Sequence, residues 1–532
     1  MLWRLRRALA VSVPSLVMLA LGLWGLDRAG MWRDEAVTFQ VARRTVPQIW
    51  RLVHGVDAVH GLYYLLMHAV LTVHPGEVVL RLPSVCAAAL TAGLVAALGT
   101  RLVRPRVGQW AGLLYAITPM AGHYAQEGRS YALVAAGATG ATVLFVRAVR
   151  GGSWWAYGVA LGLTCWLHEF AVLLLLAHAL SLALARVGAR VWRGWGCAAS
   201  AVGLALVPMI LVSRAQSAQV AWLREPTPET ALGLLRTFLG PTDGVCWPCL
   251  VLALLGLAGL AGRRGELTCA GVALPLVVVP PGALMLVSQV SPLYVDRYVL
   301  YALSGAPLLV AAGADRVAGA AARLWAHGDG TTQGHPRPPG PTRTSPLSGS
   351  PLLTLTGVLA LALALTHQLP LLGDDRDPGR RPDDLAAVSR VAGRAVRPGG
   401  AVLFLPAQTR NTALTYPGAF RGARDVALAR SAPESGSLYG QEVGAQTLRR
   451  RVGRLERVWV VADRDLLAGR WRPGNPAEQA KLAVLARDFV PGEESVQGDV
   501  AVRLYVRRSA LSRSSGPLPV RPLPVRPRPA RR

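Results

Sequence analysis

The chain has 532 residues, of which 52% are hydrophobic and only 16% charged, with a mean hydropathy of +0.35; soluble domains carry about 25% charged residues, so an ordinary water-soluble enzyme is excluded. The formal charge of +27 comes almost wholly from arginine, with Lys481 the sole lysine, but these arginines cluster between long uncharged runs instead of lining one wet face, which speaks against a nucleic-acid binder. Six cysteines in this length make no disulfide scaffold, and what remains is an α-helical polytopic membrane protein.

Bilayer-crossing helices need about 17–25 largely apolar residues. Eleven uncharged runs of roughly that kind follow one another: 8–26, 82–100, 107–126, 130–146, 151–168, 170–185, 194–213, 244–262, 267–289, 298–314 and 346–371. Arginine in short loops sets orientation, because such loops stay in the cytoplasm. The start MLWRLRR is basic, as are Arg101, Arg104 and Arg106; Arg147 and Arg150; Arg186, Arg190 and Arg193; Arg263 and Arg264; and the stretch 316–343. Every second loop is therefore cytoplasmic, together with the N-terminus. Loops 27–81, 127–129, 214–243 and 290–297 face outside, and the eleventh crossing leaves the C-terminus there too.

The sequence divides accordingly into a membrane core over 1–315, a Pro/Gly/Ser/Thr-rich cytoplasmic linker over 316–350, a last membrane helix over 351–371 and an extracytoplasmic domain over 372–511. In that domain 382–396 reads as an amphipathic helix started by Asp383 or Asp384, and AVLFLPA at 401–407 as a strand. Helical periodicity returns at 441–453 and 475–489, with strand-like RVWVVAD at 457–463 and VAVRLYV at 500–506. Alternating signals of this kind predict a small α/β fold. The tail 512–532 repeats PLPVR and lacks the apolar residues to fold.

The chemistry lies in the outside loops. Trp32-Arg33-Asp34-Glu35 places two adjacent carboxylates just past the first run, where ionisable residues mark functional sites; the alternative is a solvated pair favouring the N-terminus of the next helix. His60-Gly-Leu-Tyr63-Tyr64-Leu-Leu-Met-His68 suits a helix lying in the membrane interface, either as an anchor or in contact with a ligand. His123-Tyr124-Ala-Gln126-Glu127-Gly-Arg129-Ser-Tyr131 crowds polar and aromatic groups into a short turn, and His168-Glu169 and Asp296-Arg297-Tyr298 mark two more. Acids and bases converging on one membrane face can hold an anionic lipid headgroup and move protons beside it. Cys246-Trp-Pro-Cys249 has redox spacing but opens an apolar run, and the other cysteines read as small apolar residues. No phosphate-binding glycine loop and no HExxH motif is present.

The order of these motifs is recognisable. WRDEA, HGLYYLLMHAVL, RLPSVCAAALT, AQEGRSYAL, LHEFAVLLLL and DRYVLYALSGAPLLV together resemble the GT-C superfamily of membrane glycosyltransferases, in its glycosyltransferase 39-like branch of protein O-mannosyltransferases and aminoarabinose transferases. The resemblance covers roughly 1–315 and implies a GT-C-like core that takes a sugar from a polyprenyl-phosphate donor. It implies transfer, with inversion, to an extracytoplasmic hydroxyl of a protein, glycan or lipid in the cell membrane. On that resemblance Asp34, with Glu35 beside it, matches the family's first-loop base. Arg297, then Arg129, would hold the donor phosphate, since guanidinium forks onto phosphate oxygens. His60, Tyr63, Gln126, Glu127, Tyr131 and His168 would line the substrate pocket. The family it resembles commonly has Pro-Pro where this chain has His60-Gly61. No nucleic-acid partner and no ligand set that forces a metal is implied, and a divalent ion is left open. A transporter or flippase of lipid-linked sugars, or a non-enzymatic envelope-assembly protein, would instead hold charges at mid-membrane or have no reason to gather them on one face.

Overall fold

The computed structural model describes residues 2–28, 30–260, 262–328, 351–378 and 383–511. Most of the expected linker, 329–350, and the tail 512–532 lie outside the described residues. The chain is a mostly helical multi-pass membrane protein with a small α/β region near its C-terminus.

Among the described residues each of the eleven apolar runs contains helix, but they are not eleven unbroken spans. Among the described residues seven helices are long and apolar enough to cross a membrane: Arg4–Leu23, Glu77–Leu102, Tyr131–Val149, Ala189–Ala215, Cys269–Val287, Asp296–Leu324 and Thr356–Asp375. The other four runs are interrupted or short, for local reasons. Run 107–126 breaks into Pro105–Ile117 and Pro119–Ala125, because Pro119 supplies no N–H to continue the ladder. Run 151–168 yields only the 14 residues Trp154–Leu167. Run 170–185 opens as a 3₁₀ turn, Glu169–Leu173, before Leu174–Leu184. Run 244–262 is one arm of the pair Pro228–Leu239 and Asp243–Gly259, bent by 88°, with Gly240 at φ +127° in the corner, a conformation that glycine alone adopts cheaply. Residues 316–328, assigned to the linker by the sequence, extend the helix Gly305–Gly328 instead. That stretch is rich in alanine, a strong helix former, and has no proline before Pro336.

By their internal contacts the residues form two compact units: Met1–Leu26 with Arg81–Asp375, and Asp27–Leu80 with Arg376–Arg532. Residues 27–80, which precede most of the membrane core in sequence, thus pack with the C-terminal region.

The first unit is a helical bundle whose contacts exploit small residues. A Cβ on Gly313 would collide with the Leu252 carbonyl, and one on Gly256 with the Leu309 carbonyl. The helices Asp243–Gly256 and Gly305–Gly328 therefore touch backbone to backbone, as small-residue interfaces in membranes do. Midway along the helix Gly305–Gly328, Asp315 is 5% exposed and accepts from Arg104 Nε at 3.0 Å and from Arg106 Nη2 at 2.6 Å.

In the second unit, a five-stranded sheet has the order β2-β1-β5-β7-β6, formed by β1 (Ala401–Leu405), β2 (Arg424–Asp425), β5 (Arg457–Asp463), β6 (Phe489–Gln497) and β7 (Val500–Arg507). Two short strands, β3 (Leu428–Arg430) and β4 (Gln441–Glu442), pair separately. β1 runs parallel to β2 and β5, and β7 antiparallel to β5 and β6. Leu403, Leu405, Val458 and Val460 pack on one face with Leu448, Val484 and Leu485; Val402, Phe404 and Val461 pack on the other with Val388. Both faces are covered, which explains why AVLFL reads as an unbroken apolar run and not an alternating one. The helix Leu385–Ala395 buries Leu385, Val388, Ser389 and Ala392, the stripe its periodicity predicts. Asp384 caps it by accepting from Ala387 N–H at 3.0 Å.

Candidate active site

In the second unit the WRDEA segment forms the start of the helix Arg33–Ala42, with Asp34 and Glu35 in its first turn, where carboxylates favour the helix dipole. The two carboxylates differ in environment. Glu35 is completely buried, while Asp34 is only half-buried. The segment is held from several sides by the C-terminal region. Asn411 Nδ2 donates to the Arg33 carbonyl at 3.0 Å, Met31 N–H donates to Tyr416 Oη at 3.0 Å, and Tyr416 Oη donates to Glu77. Arg33 pairs with Asp383 at 3.2 Å. Burial alone would lower the Arg33 pKa, but the charge and hydrogen bond of Asp383 overcome that and leave it above its usual value. Further along, Gln40 Nε2 donates to Leu438 O at 3.0 Å and Arg44 Nη1 to Ser437 O at 2.9 Å; burial brings the Arg44 pKa down to about 10.

His60 and Tyr63 belong to the same unit. Residues 58–71 form a 3₁₀ turn, Ala58–His60, followed by the helix Gly61–Leu71. Asp57, in the left-handed region at φ +60°, binds His60 Nδ1 at 2.7 Å and accepts from Tyr64 Oη. Tyr63, Tyr64 and Met67 are fully buried, and Tyr64 packs with Val37, Val41, Ile49 and Leu52. The expected interface helix thus has one face committed to protein. The Asp57 link gives His60 a local anchoring role at the helix start.

In the first unit the short turns do come together. Arg297 lies 5.7 Å from the Tyr131 ring centre and 5.9 Å from that of Tyr298, within cation–π range. His168 packs 4.7 Å from Tyr298 and 5.8 Å from Tyr131, and Tyr124 stands edge-on to Tyr131 at 5.8 Å. Arg129, Arg297 and Glu127 all act electrostatically on the Tyr131 phenol. Glu127, Arg129 and His168 are buried, and Arg297 is half-buried. The Tyr131 hydroxyl is buried with no hydrogen-bond partner among the described residues, a state that costs about 1–3 kcal/mol unless another molecule supplies the bond. Two guanidiniums beside an aromatic cage and an unsatisfied phenol can hold an anion with an attached organic group.

Gln126 is held by the end of the first helix. Its Nε2 donates to Gly22 O at 2.9 Å and to Trp24 O at 2.8 Å, and Arg81 Nη1 donates to Leu26 O at 2.9 Å. These carbonyls at the end of the first helix lack intrahelical partners, so Gln126 serves as a helix cap. The sequence named Tyr298 only as a turn residue and Asp383 only as a helix start, and it missed Asn411 and Tyr416, whose long-range bonds carry no local motif. Among the described residues no three His, Cys, Asp or Glu side chains gather as a metal site. Cys246 and Cys249 are both buried as free thiols.

The family model described as dolichyl-phosphate-mannose-protein mannosyltransferase matches residues 60–212. Among solved structures, ArnT from Cupriavidus metallidurans in the apo state is similar over 95% of this chain and 98% of its own, at 14% identity and a TM-score of 0.59. The same protein bound to undecaprenyl phosphate is similar over 92% of this chain and 97% of its own, at 15% identity and a TM-score of 0.56. The chain has the fold of the GT-C superfamily glycosyltransferases. No curated protein matches it by sequence. The GT-C resemblance read from the first 315 residues extends, at the level of fold, to nearly the whole chain, including the C-terminal α/β region that the motifs did not reach.

Proposed function

We propose that this GT-C protein transfers a sugar from a polyprenyl-phosphate donor to an acceptor hydroxyl on the extracytoplasmic side of the membrane. The observation that carries the reading is Arg297 against the rings of Tyr131 and Tyr298, beside the unsatisfied Tyr131 hydroxyl, with the buried Arg129 two residues before Tyr131 in the same turn. Cations there suit a donor whose leaving group is a phosphate, because charge grows on the phosphate oxygens as the glycosidic bond breaks. The mannosyltransferase family match and the undecaprenyl phosphate bound by the similar ArnT structure support the same donor class.

In this reading the acceptor oxygen attacks the anomeric carbon as its proton passes to Asp34. The bond from that carbon to the phosphate oxygen breaks, and polyprenyl phosphate leaves with the electron pair, held by Arg297 and Arg129. A single displacement inverts the anomeric centre. Asp34, half-buried in the first turn of its helix, can exchange a proton; Glu35, wholly enclosed, orients the turn. His168, Glu127 and Tyr131 contact the sugar. Incubating the purified protein with radiolabelled polyprenyl-phosphate sugars and membrane extract tests the proposal. Transfer of label to an acid-stable product with inverted linkage supports it; no transfer from any donor in the panel, by protein shown to be folded, refutes it.

A further inference from the structure

The second unit holds a cavity of about 610 Å³ at the edge of its sheet, between β2 and the helix Ala445–Val452. Four of its lining residues are arginines: Arg424, Arg450, Arg451 and Arg454. Arg451 is occupied with structure, since its Nη1 donates to Val426 O at 3.2 Å and Leu428 O at 3.0 Å. The other three are not neutralised. Arg450 reaches only the Thr447 hydroxyl, at 3.2 Å, and among the described residues no ion pair engages Arg424, Arg450 or Arg454.

One acid, Asp425, shares the lining, but its charge is already answered. Asp425 Oδ2 accepts from Arg410 Nε at 2.5 Å, and Oδ1 accepts from Ala427 N–H at 3.0 Å and Leu428 N–H at 3.1 Å. Arg410 is itself 3% exposed. The cavity therefore keeps a surplus of positive charge. Cations in the last turn of a helix are ordinarily explained by its dipole. That covers Arg450 and Arg451 but not Arg424, which comes from a separate strand, nor Arg454, which lies beyond the helix end at Val452. The volume falls in the range of small-molecule sites, roughly 300–1,000 Å³, and is too large for a bare inorganic anion. Val426 and Leu455 give it an apolar wall.

We propose that this cavity binds an organic phosphate. Arg424, Arg450 and Arg454 fork onto the phosphoryl oxygens as guanidinium geometry favours, the Thr447 hydroxyl adds a hydrogen bond, and the organic part rests on Val426 and Leu455. The phosphate belongs either to a lipid headgroup or to a soluble metabolite. The site lies wholly within the second unit and does not depend on the proposed transfer reaction.

The test uses the full chain in phosphatidylcholine nanodiscs, titrated calorimetrically with glucose 1-phosphate, and again in discs containing phosphatidic acid. Saturable binding that survives phosphatidic acid supports a soluble ligand; binding abolished by phosphatidic acid supports a headgroup ligand. In either case the variant Arg424→Gln/Arg450→Gln/Arg454→Gln should weaken binding about tenfold or more, as lost charge-assisted bonds do. The control variant Arg397→Gln/Arg472→Gln/Arg508→Gln, exposed arginines elsewhere in the unit, should leave it unchanged. If the triple variant does not fold, Arg454→Gln alone should weaken binding about threefold. Absence of saturable binding under both lipid conditions, or equal weakening by the two triple variants, overturns the proposal.

Discussion

Asp34 and Glu35 are neighbours on one helical turn, yet one is half-buried and the other wholly enclosed. This difference separates their expected phenotypes. General-base catalysis contributes about 10²–10⁴-fold, so Asp34→Asn should lose transfer rate on that order with expression unchanged. Glu35→Gln should instead reduce the amount of folded protein and leave the rate per folded molecule near normal. Initial rates at saturating donor, normalised to folded protein, distinguish these outcomes; equal small effects would mean that both carboxylates serve only the helix N-terminus. For Arg297 the informative change is to lysine. It preserves the charge near Tyr131 and Tyr298 but loses the planar fork, so donor KM should rise and kcat fall while the melting temperature stays constant. A normal rate for Arg297→Lys would transfer the phosphate role to Arg129. The sole lysine tells a different story. Lys481 is 1% exposed and contacts Glu442 at 2.7 Å, Glu478 at 2.9 Å and the Phe404 carbonyl at 2.9 Å. Removing one partner of a buried charge pair costs roughly 3–5 kcal/mol, so Lys481→Met should lower the melting temperature of the C-terminal region sharply, as followed by protease resistance.

At the scale of elements, the apolar runs were legible because a bilayer imposes one length and one composition on any helix that crosses it. Their interruptions were less so. Pro119 and Gly240 are visible residues, but whether a proline kinks or ends a helix depends on the neighbours that satisfy the freed carbonyl. In the α/β region, 457–463 and 500–507 emerged as β5 and β7, and 385–395 as the capped helix, close to the boundaries their patterns give. β6 was missed because FVPGEESVQ carries a proline, a glycine and two glutamates, residues poorly suited to strands. It is an edge strand with a register shift between Pro491 and Glu494, where such residues are tolerated. The turns of the candidate site were found from clustered polar groups; the long-range clamps on WRDEA, 350 and more residues away, could not be. Helix contacts give a sharper test. Gly313→Leu would drive a side chain into the Leu252 carbonyl, so the helices Asp243–Gly256 and Gly305–Gly328 must separate. Folded yield should collapse, whereas Gly319→Leu, with open space at its Cβ, should be tolerated. Equal yields from the two variants would show that backbone contact at Gly313 is unimportant.

At the scale of the whole molecule, orientation follows from where the arginines collect. In the first unit Arg101 interacts electrostatically with Arg7, Arg147 and Arg150, so the ends of three separate membrane helices bring their arginines to one end of the bundle. Arg104 and Arg106 add to it through their shared partner Asp315. Like charges gathered there cost energy unless water and ions screen them, and insertion retains arginine-rich short loops in the cytoplasm. We therefore expect the arginine-bearing end inside and residues 383–511 outside, whatever the charge of the basic tail, because long translocated segments obey the rule weakly. Single cysteines decide it in a background where the exposed native thiols Cys86 and Cys197 are replaced by alanine. Arg150→Cys and Glu493→Cys both sit at exposed positions. A membrane-impermeant maleimide applied to intact cells should label Glu493→Cys strongly and Arg150→Cys only after permeabilisation. The reverse pattern would invert the whole chain and place Asp34 on the cytoplasmic side, where an acceptor outside the cell could not meet it.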